Sequence, residues 1–223
     1  MDKIQNKEIE KIVKSGILEV AMEKSKDYFK LMSYYKCALM EVETKLNVLN
    51  EEFSLQHDRN PINSIKSRLK TLPAIKEKLE RRELPYSLQS IEENIHDVAG
   101  LRVCCSFTED VYMLADALLK QDDIILVQKK DYIETPKENG YRSLHLIVAV
   151  PIYLSSEKRM MKVEIQLRTI AMDFWASIEH QLRYKKDHEY TKAMADELFS
   201  CAKISADLDT RMGNLRKLIE KEN

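Results

Sequence analysis

The sequence predicts an α+β fold in which a mixed β-sheet, formed by the middle of the chain, is flanked by helices from both ends. The 223 residues contain only four glycines and five prolines, so long helices must account for much of the length. Both ends are charged and show helical spacing of apolar residues, whereas the middle alternates short β-rich runs with helical ones. No repeat or linker divides the chain, so we expect a single domain over residues 1–223.

The N-terminal region is predicted to be a long helix. Residues 3–55 are rich in Lys and Glu, include one glycine and no proline, and place apolar side chains three and four residues apart. The helix is expected to be continuous after a break near Gly16. Its apolar stripe is formed by Leu39, Val42, Leu46, Leu49 and Phe53.

A second helical segment is predicted to begin at Pro61, because proline is favoured in the first turn of a helix. Pro73 inside this segment indicates a kink or a restart of the helix. The apolar stripe of the segment contains an arginine, whose stem can run along the helix edge toward water. The residues on this stripe are Ile65, Arg68, Leu72, Ile75 and Leu79.

The residues after Pro85 supply the predicted sheet and two further helical regions. Strands are expected at Leu101–Phe107, Ile124–Gln128, Leu144–Val150 and Met161–Arg168. Helices are expected near Asp110–Lys120, at Ile170–Lys185 and from about Tyr190 to Glu220. The last strand alternates strictly, with Lys162, Glu164, Gln166 and Arg168 on one face. On pattern alone, one solvated face of a sheet explains this alternation best.

Charge and cysteine content limit the function classes. The 36 Lys and Arg residues are balanced by 37 Asp and Glu residues, and a net charge of −1 argues against a protein that coats duplex nucleic acid. The four cysteines include no C-x-x-C pair and are expected to be buried free thiols in a reducing compartment. No apolar stretch approaches the roughly 18 residues of a membrane span. We therefore expect a cytoplasmic protein with no membrane contact.

Two carboxylates, Asp97 and Glu164, occupy strand positions among many cations. Gly100 and Gly140 also stand beside charged residues near predicted strand starts, where glycine lets the backbone approach a ligand, although an ordinary turn explains either one alone. Magnesium is commonly held by one or two carboxylates plus substrate phosphates, whose charge Lys and Arg neutralise. The set indicates phosphoryl transfer, and a surface salt-bridge network is the alternative.

Four segments together resemble the synthetase domain of the RelA/SpoT homologue family, in particular its single-domain small alarmone synthetases. They are SRLKTLPAIKEKLERR, IHDVAGLRVCCSFTEDVY, DYIETPKENGYRSLHLIVAVP and VEIQLRTIAMDFWASIEHQLRYK. The resemblance implies a nucleotidyltransferase-like fold with a catalytic core at 61–185 between helical regions at 1–60 and 186–223. It also implies transfer of the β,γ-pyrophosphoryl group of ATP to the 3′-hydroxyl of GMP, GDP or GTP, giving (p)ppGpp and AMP, without a hydrolase domain.

The resemblance assigns expected roles on the ATP side of the reaction. Asp97 and Glu164 are expected to hold Mg²⁺, and Glu164 to take the proton of the 3′-hydroxyl. Arg68 and Arg102 resemble the pair that sandwiches the adenine ring, a task suited to planar guanidinium groups. Lys70 and Lys78 are expected to reach the ATP phosphates from one helical segment, with a basic solvated helix face as the alternative for both lysines.

The acceptor side has its own expected residues. Tyr141 resembles the tyrosine that stacks on guanine, and the groups expected at the 5′ phosphates are Lys130, Lys137 and His145. Asp173 is a candidate reader of the guanine N1–H and 2-amino groups, or else an acidic group that complements a helix dipole. Trp175 is expected to lie in the core. Residues of the matching segments without an individual role are Gln166, Arg168, Glu179 and His180.

The C-terminal apolar positions leave the mode of assembly open. Leu198, Ile204, Leu208, Met212, Leu215 and Ile219 recur at helical spacing, which fits either packing on the sheet or a subunit contact. The resemblance implies a homotetramer formed through the terminal helices. Two other functions remain open at this point: a nucleotidyltransferase that modifies protein or RNA, and a non-catalytic helical regulator that binds RNA.

Overall fold

The computed structural model describes residues 16, 21, 25–57, 59–183 and 191–222, which form a five-stranded mixed sheet and six helices. The strands are β1 (Ile62–Leu69), β2 (Ala99–Cys105), β3 (Ile125–Asp131), β4 (Leu144–Tyr153) and β5 (Lys158–Thr169). The helices are α1 (Lys26–His57), α2 (Leu72–Arg81), α3 (Leu88–Asn94), α4 (Thr108–Leu119), α5 (Ile170–Arg183) and α6 (Lys192–Glu222). The predicted α+β class is confirmed.

The strands follow the order β1-β2-β5-β4-β3, in which only β2 and β5 run parallel. Strand β5 is therefore central. Its apolar face is buried, with Val163, Ile165 and Leu167 all fully enclosed beneath α1 and α4. Each such side chain contributes about 1.5 to 3 kcal/mol of hydrophobic stabilisation. The polar face of β5 consequently points to the other side of the sheet, away from α1 and α4.

The long N-terminal helix is confirmed from Lys26 onward. The five residues of the predicted stripe, from Leu39 to Phe53, are all buried against the sheet. The expected break near Gly16 stays a prediction, because only residues 16 and 21 are described before residue 25, both of them helical.

The predicted helix beginning at Pro61 is wrong for its first half. Residues Ile62–Leu69 form β1, an edge strand paired antiparallel with β2. The expected restart near Pro73 is confirmed, because α2 begins at Leu72 with extended Thr71 as its N-cap, and proline in the first turn removes no intrahelical hydrogen bond. Arg68 therefore lies on a strand, and Lys70 follows that strand instead of sharing a helix with Lys78.

The C-terminal helix α6 leaves its apolar stripe exposed. Ile204, Leu208, Met212, Leu215 and Ile219 are each at least half exposed, so packing of these side chains on the sheet is ruled out. Ala202 and Asp209 are buried on the inner side.

Two further expectations are tested by burial and helix length. Cys104 and Cys105 are buried as expected, but the expectation of a buried thiol is wrong for Cys201, which is exposed on a helix surface. Among the described helices, none combines the length and the apolarity needed to cross a bilayer.

Candidate active site

Two adjacent rows of residues cross the polar face of the sheet from β1 to β3. Paired residues on neighbouring strands share a face, so each row follows directly from the strand register. The first row joins Arg68, Gly100, Glu164, Ile147 and Gln128. The second joins Lys66, Arg102, Gln166, His145 and Lys130. The polar half of the β5 alternation is thus the floor of a charged surface, and simple exposure to solvent does not account for it.

Two cavities lie side by side on this face and share one carboxylate. The arginine cavity, of about 270 Å³, is lined by Arg68, Gly100 and Arg102 among other residues of β1, β2 and β5. The lysine cavity, of about 210 Å³, is lined by Lys130, Tyr132, Lys137, His145 and neighbouring residues. Glu164 lines both. A group at Glu164 can therefore act between two molecules bound in the two cavities.

The arginine cavity has the shape of a slot between two guanidinium groups. Arg68 pairs with Gly100 across β1 and β2, and Arg102 lies two residues further along β2. Gly100 has no side chain, and the Arg68 side chain lies over it: a Cβ atom at Gly100 would be 3.8 Å from Arg68 Cγ and 3.9 Å from Arg68 Nε. Burial lowers the pKa of Arg102, and the nearby charge of Arg168 lowers it further. The charge of Arg68 also lowers the pKa of Arg102, and a flat, electron-rich ring between Arg68 and Arg102 would lessen the repulsion between these two cations.

Asp97 lies just before β2 and is held by two lysines. Lys70 Nζ is 3.1 Å from Oδ2, and Lys78 Nζ is 2.8 Å from Oδ1. Burial raises the pKa of Asp97, but the charges and hydrogen bonds of Lys78 and Lys70 outweigh burial and leave the pKa below its ordinary value. The structure thus brings both predicted lysines to a carboxylate beside the arginine cavity, although they come from different elements.

Glu164 is also ionised despite its burial. Gln166 Nε2 donates a hydrogen bond of 2.9 Å to Oε2, and His145 Nδ1 lies 3.6 Å from Oε1. Burial raises the pKa of Glu164, but His145 and Gln166 together lower it below the ordinary value against the opposing charge of Asp97. The electrostatic interaction of the two carboxylates is a sign of their proximity.

The sequence interpretation missed the organising role of Arg168, which is only 4% exposed. Its Nη2 donates to Tyr141 Oη at 2.6 Å and to Gln166 Oε1 at 2.9 Å. The Tyr141 hydroxyl also forms a hydrogen bond of 2.8 Å with His145 Nε2. Together with the two contacts to Glu164, these bonds link five side chains in a ring. The only available signal was a long cation on the polar side of a central strand.

The lysine cavity combines aromatic rings with cations. Lys137 Nζ lies 4.7 Å from the centroid of the Tyr132 ring and 4.9 Å from that of Tyr141. Tyr132, Tyr141 and His145 meet edge to face. Lys130 is paired with His145 in the strand register and is exposed at the rim. The predicted acceptor residues therefore cluster, as their strand and loop positions suggested.

Asp173 and Trp175 lie on α5 behind these cavities. Asp173 Oδ1 is 3.1 Å from Arg168 Nη1 and 3.5 Å from Arg102 Nη1, in the first turn of the helix. Asp173 lines neither cavity. Besides its two expected roles, its carboxylate therefore has a third one in the structure, which is to pair with the guanidinium groups of Arg168 and Arg102. Trp175 is buried as expected and donates from Nε1 to the Leu198 carbonyl at 2.9 Å. Glu179 accepts a hydrogen bond of 3.3 Å from Asn139 Nδ2.

The oxygen ligands present fit a magnesium ion delivered with phosphates. The described residues contain no group of three or more His, Cys, Asp or Glu side chains placed to hold a metal. Asp97 Oδ1, however, is buried and accepts no hydrogen bond of normal geometry, although Lys78 is close. One or two carboxylates completed by phosphate oxygens are the usual magnesium environment. The site matches that pattern.

A mixed sheet with one ionised carboxylate shared by two cation-lined cavities, and a second ionised carboxylate nearby, is typical of a nucleotidyltransferase-like protein. The sequence profile described as "Region found in RelA / SpoT proteins" matches residues 67–189. "GTP pyrophosphokinase YwaC" of Bacillus subtilis is 44% identical over 83% of this chain and 89% of its own length. The chain therefore belongs to the RelA/SpoT family.

Solved structures agree with this assignment. Small alarmone synthetase 2 of Bacillus subtilis superposes with a TM-score of 0.78 at 42% identity, over 86% of this chain and 99% of that one. Small alarmone synthetase 1 of the same organism, bound to its product pppGpp, gives 0.79 at 34% identity, over 87% and 99%. The latter protein bound to AMPCPP gives 0.74 at 31% identity, over 88% and 100%. Within the family, the chain thus resembles the small alarmone synthetases.

Proposed function

We propose that this chain is a GTP pyrophosphokinase. It transfers the β,γ-pyrophosphoryl group of ATP to the 3′-hydroxyl of GMP, GDP or GTP and forms (p)ppGpp and AMP. The observation that carries the proposal is the position of Glu164, which lines both the arginine cavity and the lysine cavity. Each of these cavities is lined by cations that suit a phosphate-bearing ligand. The names of the relatives and the nucleotides bound to the small alarmone synthetase structures support the same reaction.

ATP is assigned to the arginine cavity. The adenine ring lies between the guanidinium groups of Arg68 and Arg102, which can stack on its two faces. Lys70 and Lys78 exchange their contacts with Asp97 for the phosphates, which offer more charge to the same donors. Binding energy is thereby spent on orienting the β-phosphorus toward Glu164.

The guanine nucleotide is assigned to the lysine cavity. Tyr141, which lies beside Lys137 at the edge of this cavity, stacks on the base, and the lining residues Lys130, Lys137 and His145 surround the 5′ phosphates. Asp173 remains the proposed acceptor of hydrogen bonds from the guanine base. It is linked to the acceptor site by its hydrogen bond with Arg168. This orientation directs the 3′-hydroxyl to Glu164, which takes its proton as the oxygen attacks the β-phosphorus and AMP leaves. Because Glu164 is already ionised, no prior proton loss is needed.

Asp97 and Glu164 would hold Mg²⁺ at the junction of the two cavities. When bound, the ion would screen the negative charge of the phosphates during transfer. A homotetramer built through the terminal helices and a cytoplasmic location complete the proposal. Of these two, the exposed stripe on α6 supports the tetramer.

Two labels in ATP test the reaction directly. The protein is incubated with Mg²⁺ and GMP, GDP or GTP, using ATP labelled at either the γ- or the α-phosphorus. The expected result is γ-label in the guanine nucleotide and α-label in AMP. An α-label on protein or RNA would instead indicate a nucleotidyltransferase, and salt-sensitive RNA binding without any transfer would indicate a non-catalytic regulator.

The Glu164→Gln variant tests the assignment of the base. We expect its kcat to fall by about 100-fold or more, because the amide can neither take the proton nor carry charge. The matched control is Glu41→Gln, an exposed position on α1 away from the polar face. Full activity of Glu164→Gln would contradict the assignment even if the reaction itself were confirmed.

A further inference from the structure

Helix α6 contacts the segment 132–143, here called the Tyr141 loop, at two separate points. The first contact is backbone against helix. Gly140 has φ +87°, and a Cβ atom built there would lie 2.4 Å from the Ala202 Cβ and 3.3 Å from Phe199 Cδ2. No side chain fits between the loop and the helix. Gly140 therefore serves a close approach as well as a left-handed turn.

The second contact is polar and buried. Asp209 Oδ2 on α6 lies 3.6 Å from Arg142 Nη1, and Asp209 is only 9% exposed. The same oxygen accepts hydrogen bonds from Thr169 Oγ1 at 2.9 Å and from Thr108 Oγ1 at 3.5 Å. Thr169 ends β5 and Thr108 begins α4. Asp209 thus joins the Tyr141 loop to the end of the strand that carries Glu164.

Helix α6 is itself fixed to the fold. Trp175 Nε1 donates to the Leu198 carbonyl, and Ser205 Oγ donates to the Ala171 carbonyl at 3.1 Å, so two bonds tie α6 to α5. Tyr141 packs on the small cluster formed by Trp175, Ala176 and Ala202. The proposed guanine-stacking ring therefore rests on a surface that α6 completes.

We propose that α6 is a positioning element of the acceptor subsite and that Asp209 is its positioning residue. Asp209 touches neither cavity and acts by holding Arg142, and hence the Tyr141 loop, in the binding conformation. The arginine cavity is lined by β1, β2 and β5 alone, so ATP binding does not depend on this contact. The assignment rests on the proposed function, since it presumes that the Tyr141 loop receives the guanine nucleotide.

The physical reason is the cost of ordering the loop. Apart from α6, the loop is held by short-range bonds such as Gly140 N to Lys137 O at 2.8 Å, and by longer-range side-chain bonds of Tyr141 to Arg168 and of Asn139 to Glu179. A loop released from α6 must be ordered when the nucleotide binds, and that entropy is subtracted from the affinity. The effect falls on acceptor binding and leaves the chemical step unchanged.

The test compares Asp209→Asn with Asp207→Asn, a neighbouring exposed aspartate of α6 that pairs with Arg211. The amide in Asp209→Asn would keep the shape of the native carboxylate and an oxygen that accepts the threonine hydrogen bonds, but it would lose the charge. For Asp209→Asn we expect the Kd of GDP, measured by calorimetry, and the KM of the acceptor to rise about fivefold to tenfold. The KM of ATP and kcat should stay within about twofold, and Asp207→Asn should match the wild type.

Hydrogen exchange of residues 132–143, followed by mass spectrometry, supplies a readout independent of activity. Exchange should accelerate in Asp209→Asn only within this segment. Phe199→Ala, which removes the partly exposed ring beside Gly140, should shift both readouts in the same direction and serves if Asp209→Asn fails to fold. Equal rises in the KM of both substrates, or unchanged GDP affinity and loop exchange, would overturn the inference. A wild-type protein without transfer activity would instead refute the proposed function, while the exchange data would still decide the loop contact.

Discussion

Asp97 and Glu164 are largely buried carboxylates that nevertheless ionise more readily than free side chains. Each one is surrounded by donors that outweigh the cost of burial: two lysines for Asp97, and His145 with Gln166 for Glu164. Their charges also repel each other. Both carboxylates consequently carry charge at neutral pH, and a divalent cation placed near them would reduce the repulsion.

The lowered pKa of Asp97 predicts a pH-dependent contribution to stability. A carboxyl group whose pKa is lower in the folded state stabilises the fold above its unfolded value of 3.8 and loses that contribution as the pH falls through the folded value. Asp97→Asn should therefore lower the free energy of unfolding by roughly 1 to 2 kcal/mol at pH 7. The difference in denaturant titrations between the two proteins should be full well above pH 3.8 and should shrink as the pH falls below that value. A difference that stays constant from neutral to strongly acidic pH would contradict the assignment.

Replacement of Arg168 by lysine is predicted to lower activity although the positive charge is kept. Lysine has no planar fork and cannot donate simultaneously to Tyr141, Gln166 and Asp173 at the observed positions. Arg168→Lys should lower kcat/KM for the acceptor by about tenfold or more, because the hydrogen bonds that hold Tyr141 directly, and Glu164 through Gln166, would be lost. Steady-state kinetics should show no comparable loss for Arg211→Lys, an exposed arginine of α6. Equal activity of the two variants would show that the ring of hydrogen bonds is dispensable.

At the scale of elements, β1 determines the shape of the arginine cavity. Its pairing with β2 sets Arg68 opposite Gly100 and diagonal to Arg102. A helix at this position would have carried Arg68 and Lys70 on different sides of its axis. On the strand, Arg68 instead joins the sheet face, and the backbone N of Lys70 donates to the Val98 carbonyl at 2.8 Å beside Asp97. The pairing of β1 with β2 thus determines where Arg68 and Lys70, two predicted ATP ligands, lie.

Substitution of Gly100 is predicted to weaken the binding of ATP selectively. A Cβ there would meet Arg68 atoms no closer than 3.8 Å, so Gly100→Ala is sterically tolerated by the protein alone. The added methyl group would occupy the slot between the two arginines, and the KM of ATP should rise about threefold to tenfold while that of the acceptor stays unchanged.

The matched control is Gly213→Ala on α6, where no atom lies within 4 Å of the added group. Alanine is the better helix former, and this change should stabilise the protein by about 0.5 to 1 kcal/mol without altering kinetics. If Gly100→Ala changed both KM values equally, the slot would not be the ATP site.

At the scale of the whole molecule, α6 has two faces of different character. Its inner face contacts the Tyr141 loop, and its outer stripe is apolar and exposed. Exposed apolar patches of this kind mark interaction surfaces. The stripe extends from Ile204 to Ile219, and none of its residues lines either cavity.

The outer stripe predicts an assembly that depends on apolar contact. The double variant Leu208→Asp and Leu215→Asp should lower the mass in solution from that of a tetramer toward that of a dimer or monomer, because two charges would be buried in the contact. Light scattering after size-exclusion chromatography measures the mass. Thr210→Asp, an exposed position on another side of α6, is the control. A wild-type protein that runs as a monomer would contradict the proposed tetramer.

Local patterns along the chain determined much of this protein by themselves. The stripe of α1 and the strict alternation of β5 follow from residue periodicity, and these periodicities decide which faces are buried. The acceptor residues Lys137 and Tyr141 lie close together in sequence within one loop segment. Four ordered motifs were enough to indicate the family. Such features could be predicted because each depends on residues that are neighbours along the chain.

Tertiary structure alone decided the rest. Residues 62–69 became a strand because their hydrogen-bond partners lie in β2, a pairing that no local propensity encodes. Arg168 became buried because Tyr141, Gln166 and Asp173 accept hydrogen bonds from its two terminal nitrogens, and this requires a loop, a strand and a helix to meet. Likewise, only the fold brings Asp209 to Arg142. Burial of a polar group depends on partners distant in sequence, so these assignments required the folded chain.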